Sequence, residues 1–161
     1  KIRRANIKDL GNILKLNSNL FKKEYKEYDK SLNLKWTYTK GMKYFKDRIT
    51  KRNGFVEVAE TKGNIIGYLC GGISEREFYR EKTKYAKLEN MLINSNFRDK
   101  GIGTKLVKDF INWCRKNKVK YLAVTASAKN KQAIGFYRKV GFKDYDFILE
   151  MEMKNFDGFY E

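Results

Sequence analysis

The stretch Asn96-Phe97-Arg98-Asp99-Lys100-Gly101-Ile102-Gly103-Thr104-Lys105-Leu106-Val107 decides the fold of this chain. It follows an apolar run, residues 88–93, that predicts a strand, and it opens an amphipathic segment, Ile102 to Cys114, that predicts a helix. A glycine-bearing turn between a strand and a helix presents unpaired backbone N–H groups at the positive end of the helix dipole, so it favours an anion. The pattern lacks the third glycine of a dinucleotide fingerprint and the Gly-Lys-Ser/Thr ending of a P-loop. The stretch therefore predicts a phosphate-binding turn of another kind.

The hydrophobic pattern outside this turn predicts one α/β domain over residues 1–161, with a mixed sheet covered by helices. A chain of 161 residues is long enough to bury a core of its own. The elements are expected in the order β-α-α-β-β-β-α-β-α-β. Their predicted bounds are 2–5, 10–21, 39–52, 55–61, 65–74, 84–94, 101–117, 121–125, 130–140 and a late strand from Phe147 to Met153.

The chain is strongly basic, with a formal net charge of +17 from 36 Lys+Arg and 19 Asp+Glu. One interpretation is a polyanionic partner such as RNA, and the other is a lysine-rich surface without a specific partner. The basic residues occur in nearly every segment, which favours the second interpretation over nucleic-acid binding. No apolar run approaches the ~20 residues of a membrane span, and the polar start predicts no signal peptide. The expectation is a cytoplasmic protein without membrane contact.

Metal and disulfide chemistry are not expected. Histidine is absent, and no cysteine or carboxylate cluster has the spacing of metal ligands, so the sequence predicts no metal. Cys70 and Cys114 lie inside apolar stretches, which favours small buried hydrophobic residues over a disulfide or a nucleophile.

Three blocks of sequence occur in an informative order. The first is Ile2-Arg3-Arg4-Ala5-x-x-x-Asp9, the second is Arg98-x-x-Gly101-x-Gly103, and the third is Asn130-x-x-Ala133-x-x-Phe136-Tyr137-x-x-x-Gly141-Phe142. Together they resemble the opening strand, the pyrophosphate motif and the second signature of the GNAT superfamily of acetyl-CoA-dependent N-acetyltransferases. The resemblance implies a GNAT-like central sheet of about six to seven strands flanked by helices.

The same resemblance implies that acetyl-CoA is the co-substrate and that a primary amine attacks its thioester directly in a ternary complex. The backbone of the strand at residues 92–93 would pair with the pantetheine arm, and the glycine turn would hold the pyrophosphate. Asn130 would bind the cofactor or cap its own helix, and both roles stay open. The implied cofactor-binding residues are Leu92, Ile93, Arg98, Asp99, Lys100, Gly101, Ile102, Gly103, Thr104, Asn130, Ala133, Phe136 and Tyr137.

Two residues are candidates for proton transfer. Tyr137 stands where the family's Phe-Tyr motif carries its general acid, although its spacing also suits a core aromatic. Glu89 is the candidate base, because it lies on the strand that by resemblance passes the acetyl group. A water relay is the alternative to Glu89, and Glu150 and Glu152 are weaker candidates.

The acceptor is not identified by the sequence. A small amine or a lysine is favoured over an N-terminal alanine, because Thr125 stands where the N-terminal alanine acetylases carry a glutamate. Two other functions stay open, a basic RNA- or ribosome-binding module and a GNAT fold that binds acetyl-CoA without turnover. The oligomeric state is open as well, a homodimer included.

Overall fold

The computed structural model describes residues 1–158. In that part of the chain one sheet is formed by β1 (Ile2–Arg4), β2 (Gly54–Thr61), β3 (Asn64–Ser74), β4 (Tyr85–Ile93) and β5 (Tyr121–Val124). The helices are α1 (Leu10–Glu27), α2 (Lys40–Thr50), α3 (Ile102–Lys116) and α4 (Lys131–Val140). The mixed α/β class expected from the sequence is confirmed, and α1 continues beyond its predicted end at Phe21 to Glu27.

The strands lie in the sheet in chain order, β1-β2-β3-β4-β5. The first three pairings are antiparallel, and β5 runs parallel to β4 because α3 carries the chain back across the sheet. The glycine turn joins the end of β4 to the start of α3, at the end of the sheet where β4 and β5 both finish. The turn therefore lies at the carboxyl end of a central strand.

Two hydrophobic cores cover the two faces of the sheet. On one face, side chains from α1 and α2 pack against β2 and β3, with Phe45 and Tyr68 fully buried. On the other face, α3 packs through Leu106 and Phe110, and α4 adds partly buried side chains. Successive side chains of a strand alternate between the two faces, as in Tyr68, Leu69 and Cys70. The alternation explains why β2 and β3 are buried along most of their length.

The expected late strand is a wrong prediction. Residues Phe147 to Met153 pair with no strand in the described part of the chain, and the sheet has five strands instead of about six to seven. Alternation of apolar and acidic residues produced the prediction, but a strand needs a neighbour to satisfy its backbone groups. Here Ile148 and Leu149 are 87% and 95% exposed, so the pattern has no core to face.

Both cysteines are free and buried, which confirms their assignment as packing residues. Burial raises the pKa of the Cys70 thiol, so the thiolate form that reacts is disfavoured. No helix among residues 1–158 is long and apolar enough to cross a membrane.

One buried carboxyl group makes the stability of the fold depend on pH. Glu57 on β2 is only 7% exposed, and its Oε2 has no hydrogen-bond partner in the described chain. Burial raises its pKa to about 7, Asp109 adds to the shift, and Arg4 and Lys105 oppose it. A folded-state pKa above the unfolded value of ~4.3 means that the folded state holds the proton more tightly. Proton binding by Glu57 therefore contributes fully to the free energy of unfolding below about pH 4.3. This contribution is lost as the pH rises through 7.

Replacing Glu57 with glutamine is therefore expected to raise the free energy of unfolding by about 1–3 kcal/mol above pH 7 and by almost nothing at pH ~4. Urea unfolding at the two pH values measures the difference. Glu81→Gln, at an exposed position, is the control and should change the free energy by less than ~0.5 kcal/mol at either pH. A Glu57→Gln gain that is equal at both pH values would contradict the assignment.

Candidate active site

The glycine turn presents free backbone amides at the start of α3. After β4 the chain makes a short 3-10 turn, Ser95–Phe97, and Asp99 and Gly101 then take left-handed conformations with φ of 59° and 76°. The first helical hydrogen bond runs from the amide of Lys105 to the carbonyl of Gly101, and no side chain caps the helix. The amides of residues 102–104 therefore have no intrahelical acceptor, and they point out of the helix N-terminus.

Glycine suits the two positions of the turn for different physical reasons. Gly101 is required by its left-handed backbone, which L-residues with a side chain adopt at a cost, and a Cβ there would meet only open space. Gly103 lies in the α region, and a Cβ there would come within 3.4 Å of the Phe136 ring. A side chain longer than alanine at Gly103 would therefore press on Phe136 of α4 and stand beside the uncovered amides.

Arg98 stabilises the turn through a hydrogen bond to the end of β4. Its Nε donates a hydrogen bond of 2.9 Å to the carbonyl oxygen of Ile93, the last residue of β4. A cleft of about 390 Å³ opens beside it, between the turn and α1. Lys23 and Arg98 bring positive charge to this cleft, and its other lining residues are Asn19, Leu92, Asn94 and Ser95. Lys23 was not among the residues expected from the sequence, because no motif links α1 to the turn.

Strands β4 and β5 separate halfway along β4. Their pairing runs from Tyr85 opposite Tyr121 to Leu88 opposite Val124, where β5 ends. Beyond Leu88, β4 continues to Ile93 with no strand on this side among residues 1–158. The split leaves an open strand edge at Leu92 and Ile93 that leads directly to the turn. An extended ligand with amide groups can form hydrogen bonds along such an edge.

A β-bulge sits at the split. Cys70 of β3 is opposite Asn90, but Gly71 is opposite Leu88, so Glu89 is an extra residue on β4. The bulge interrupts the alternation of faces, because Glu89 and Asn90 both contact Tyr44 of α2. Two polar side chains are thereby placed side by side on the face that α1 and α2 cover.

The carboxylate of Glu89 is already engaged. Arg48 of α2 donates to it from Nε at 2.9 Å and from Nη2, and the Tyr44 hydroxyl donates to its Oε2. The two charged side chains are only 15% and 19% exposed, so the pair is largely shielded from solvent. Burial, together with Cys70 and Glu89 nearby, raises the pKa of Tyr44, which keeps its hydroxyl protonated. No motif in the sequence points to Arg48 or Tyr44, because only the packing of α2 on β4 brings them to Glu89.

The cluster leaves one acceptor atom without a partner. Since the Tyr44 hydroxyl donates its hydrogen bond to Glu89, its oxygen accepts a hydrogen bond of 3.2 Å from Nδ2 of Asn90. This orientation leaves Oδ1 of Asn90 buried and without a hydrogen-bond partner in the described chain. Buried acceptors of this kind are uncommon in folded proteins.

Tyr137 lies on α4 in the second core. Its ring packs edge-on against Phe136 and Phe142, which agrees with the core-aromatic interpretation of its spacing. Its hydroxyl, however, has no hydrogen-bond partner in the described chain. Burial raises the pKa of Tyr137 to about 12, and the charge of Glu24 on α1 adds to the shift.

Asn130 caps α4. Its Oδ1 accepts a hydrogen bond of 3.0 Å from the amide of Ala133, so the capping role that the sequence left open is confirmed. Ala133, Phe136 and Tyr137 then follow on the helix at spacings of three and one. The contact of Phe136 with the Gly103 position joins this block to the glycine turn. The two motifs are thus adjacent in space.

The comparisons with known proteins agree with this geometry. The model of the acetyltransferase (GNAT) family matches residues 15–142. The chain is 27% identical over 150 residues to an uncharacterised N-acetyltransferase of Methanocaldococcus jannaschii, a match that covers 91% of this chain and 62% of that relative. The chain thus spans about three-fifths of the length of this curated relative.

Solved structures share the fold. A mutant of the BH1408 protein from Bacillus halodurans superposes with a TM-score of 0.77 at 17% identity, over 94% of this chain and 98% of that one. The aminoglycoside N-acetyltransferase AAC(6')-Iy, solved with CoA, gives a TM-score of 0.72 at 15% identity over 94% and 98% of the two chains. Because the family match spans well over half of its residues, this chain belongs to the acetyltransferase (GNAT) family, which is a family of acyltransferases.

Proposed function

We propose that the chain transfers the acetyl group of acetyl-CoA to a primary amine, by direct attack in a ternary complex. The observation that carries the proposal is the open edge of β4 from the bulge at Glu89 to Ile93, which is followed by the turn that presents the free amides of residues 102–104. Acetyl-CoA has a matching order of groups, a thioester, an amide-bearing arm and a pyrophosphate.

In this proposal the cofactor lies in the split between β4 and β5. The backbone of Leu92 and Ile93 pairs with the pantetheine amides, since β5 has ended and no other strand of residues 1–158 pairs with β4 there. The amides from Ile102 to Thr104 hold the pyrophosphate, with help from the helix dipole. Lys23 and Arg98 add positive charge beside the cleft, which favours the phosphates further.

The reaction needs two proton transfers. A lysine-like amine with a pKa near ~10.4 must lose a proton before it attacks, and the CoA thiolate must gain one when it leaves. Tyr137 is proposed to supply the second proton. Its hydroxyl is protonated at neutral pH, because its pKa is about 12, and it has no partner in the described chain to satisfy first.

The contacts of Glu89 favour the water relay over Glu89 as the base. Both of its carboxylate oxygens already accept hydrogen bonds from Arg48 and Tyr44, so a substrate ammonium would compete with a guanidinium. Glu89 is then proposed to be a positioning residue that holds Tyr44 and the bulge in place. Glu89→Gln should leave the rise of the rate with pH unchanged under a water relay and depress it if Glu89 is the base.

The acceptor is proposed to be a compact amine or an exposed lysine. Two of the structural neighbours are named as aminoglycoside N-acetyltransferases, so aminoglycosides belong in the first panel beside simple alkylamines, polyamines and lysine peptides. Thiol release from acetyl-CoA, measured across this panel, identifies the class. Release with none of these amines would favour a fold that binds acetyl-CoA without turnover.

Acetyl-CoA is expected to stabilise the fold in thermal melts. At ~100 times its dissociation constant, a ligand that binds only the folded state adds about 2.7 kcal/mol, which is roughly 5–10 °C for a domain of this size. Gly103→Val should abolish this shift, because the new side chain presses on Phe136 and stands beside the free amides.

Gly11→Val is the matched control. Gly11 and Gly103 are both the second residue of a helix, and the position of a Cβ at Gly11 has nothing within 4 Å. Its variant should melt somewhat lower than the unmodified protein, since valine is a weak helix former, but it should keep the full shift with acetyl-CoA. A full shift in a folded Gly103→Val variant would count against the pyrophosphate assignment.

A further inference from the structure

A groove follows the exposed side of α1, and the proposed acetyl transfer uses only one end of it. The cleft beside the glycine turn continues into a second cleft of about 210 Å³, because Asn19 and Asn94 line both. One wall of this α1 groove is the helix, which rises ~17 Å between Asn12 and Lys23. The opposite wall is formed by the turn between β2 and β3 and by the residues that follow β4. The second cleft is lined by Asn12, Lys15, Leu16, Asn19, Gly63, Asn64, Ile65 and Asn94.

The lining of the α1 groove carries positive charge and carboxamides. Lys15, Lys23 and Arg98 are its charged residues, and the asparagines of both walls supply N–H donors. Among residues 1–158 no carboxylate lines either cleft. The acidic residues of α1 itself, Glu24 and Glu27, lie in its last turn. The groove is therefore suited to an anion along its whole length.

The lysines on this side of α1 have no direct partner in the chain. Lys43 of α2 and Lys105 of α3 each form an ion pair with an aspartate four residues further along. Within residues 1–158, Lys15, Lys22 and Lys23 form no ion pair. Lys22 follows Lys15 by about two helical turns, so it stands on the same side of the helix. Basic residues that are spread evenly along the sequence thus become available to a ligand at one place in the fold.

The composition of the lining favours a nucleic acid over an acidic protein. Phosphates of nucleic acids are contacted mainly by arginine, lysine, asparagine and serine, and these are the polar residues of the α1 groove. Protein interfaces are built instead around large apolar or aromatic anchors and contain little lysine. No aromatic side chain of residues 1–158 lines either cleft, so bases have no ring on which to stack. The contacts are therefore with the backbone and do not read sequence.

We propose that the α1 groove binds the phosphate backbone of a single-stranded nucleic acid without sequence preference. Clefts of about 390 and 210 Å³ have room for a few nucleotides of one strand and not for a duplex. The strand reaches the cleft beside the glycine turn, where Lys23 and Arg98 lie, so one of its ends is next to the candidate active site. The binding needs no acetyl transfer, and it is measurable without acetyl-CoA.

Fluorescence anisotropy with a labelled strand of about ten uridines tests the proposal. A dissociation constant of ~10⁻⁴–10⁻⁶ M is expected at physiological salt. The logarithm of the binding constant should fall with the logarithm of the salt concentration with a slope of about −2.8, at about −0.7 for each basic residue that contacts a phosphate. These residues are Lys15, Lys22, Lys23 and Arg98. Absence of binding, or tighter binding of a duplex or a polyglutamate of the same length, would overturn the proposal.

Removal of two lysines outside the candidate active site tests the position of the strand. Lys15→Gln combined with Lys22→Gln should weaken binding roughly 10–100-fold at ~50 mM salt and change the slope to about −1.4. Lys46→Gln combined with Lys108→Gln is the matched control, since it removes equal charge from exposed positions of α2 and α3 and should leave the slope unchanged. An equal loss in both variants would assign binding to net charge and reject the groove. Neither variant changes a residue proposed to bind acetyl-CoA, so the thermal shift checks the fold and tests the proposed function separately.

A charge on the opposite wall tests the groove without removing a lysine. Asn64→Glu places a carboxylate on an exposed residue that lines the second cleft, and it should weaken binding of the strand about 5–10-fold at ~50 mM salt. Asn112→Glu makes the same change of charge at an exposed position of α3 and should have little effect. Unchanged binding in Asn64→Glu would show that the strand does not lie between the two walls, which contradicts the proposal.

Discussion

Tyr137→Phe is expected to lower turnover by roughly 10²–10⁴-fold while the thermal shift with acetyl-CoA is retained. The substitution removes only a hydroxyl that has no partner among the described residues, so the packing against Phe136 and Phe142 survives. The loss falls on kcat, because the proton is needed when the thiolate leaves and not when the cofactor binds.

The pH profile gives this prediction a second measurement. The pKa of Tyr137 is raised to about 12, so its hydroxyl keeps its proton across the working range. The rate should therefore rise with pH as the amine is deprotonated, and Tyr137 should cause no fall below pH ~10. Tyr38→Phe, at an exposed position, is the control and should leave turnover unchanged. Normal turnover in Tyr137→Phe, with chemistry rate-limiting, would assign the residue to the core alone.

Arg48→Ala is expected to lower the free energy of unfolding by about 2–4 kcal/mol. Removing one partner of a buried ion pair leaves the other charge uncompensated, which costs about 3–5 kcal/mol in full burial and less here, since both side chains keep some exposure. Chemical unfolding at neutral pH measures the change. In a thermal melt it corresponds to a drop of roughly 5–15 °C.

The chain offers a control on the same helix. Lys43 and Asp47 form an exposed pair on α2, with 78% of the Lys43 side chain exposed, so Lys43→Ala should cost less than ~1 kcal/mol. Adding Glu89→Gln to Arg48→Ala should recover part of the loss, because it removes the stranded charge. Strict additivity of the two substitutions would mean that the ion pair contributes nothing to the fold.

The features that were predictable from sequence are those specified within a few residues. The helix start at the glycine turn, the Asn130 cap and the helical face of Tyr137 all depend on short-range rules of periodicity and capping. The same rules failed at residues 147–153, where the alternation is present but a neighbouring strand is required.

Local pattern thus determined the β4–turn–α3 unit and the N-terminal cap of α4 in this chain, because helix ends and strand periods depend on neighbours in sequence. Only the tertiary structure decided the chemistry at Glu89. Its partners Arg48 and Tyr44 are 41 and 45 residues away, and they reach it because α2 packs on the face to which the bulge turns both Glu89 and Asn90. A bulge shifts the facing of side chains by one residue, and no two-residue alternation in the sequence records that shift.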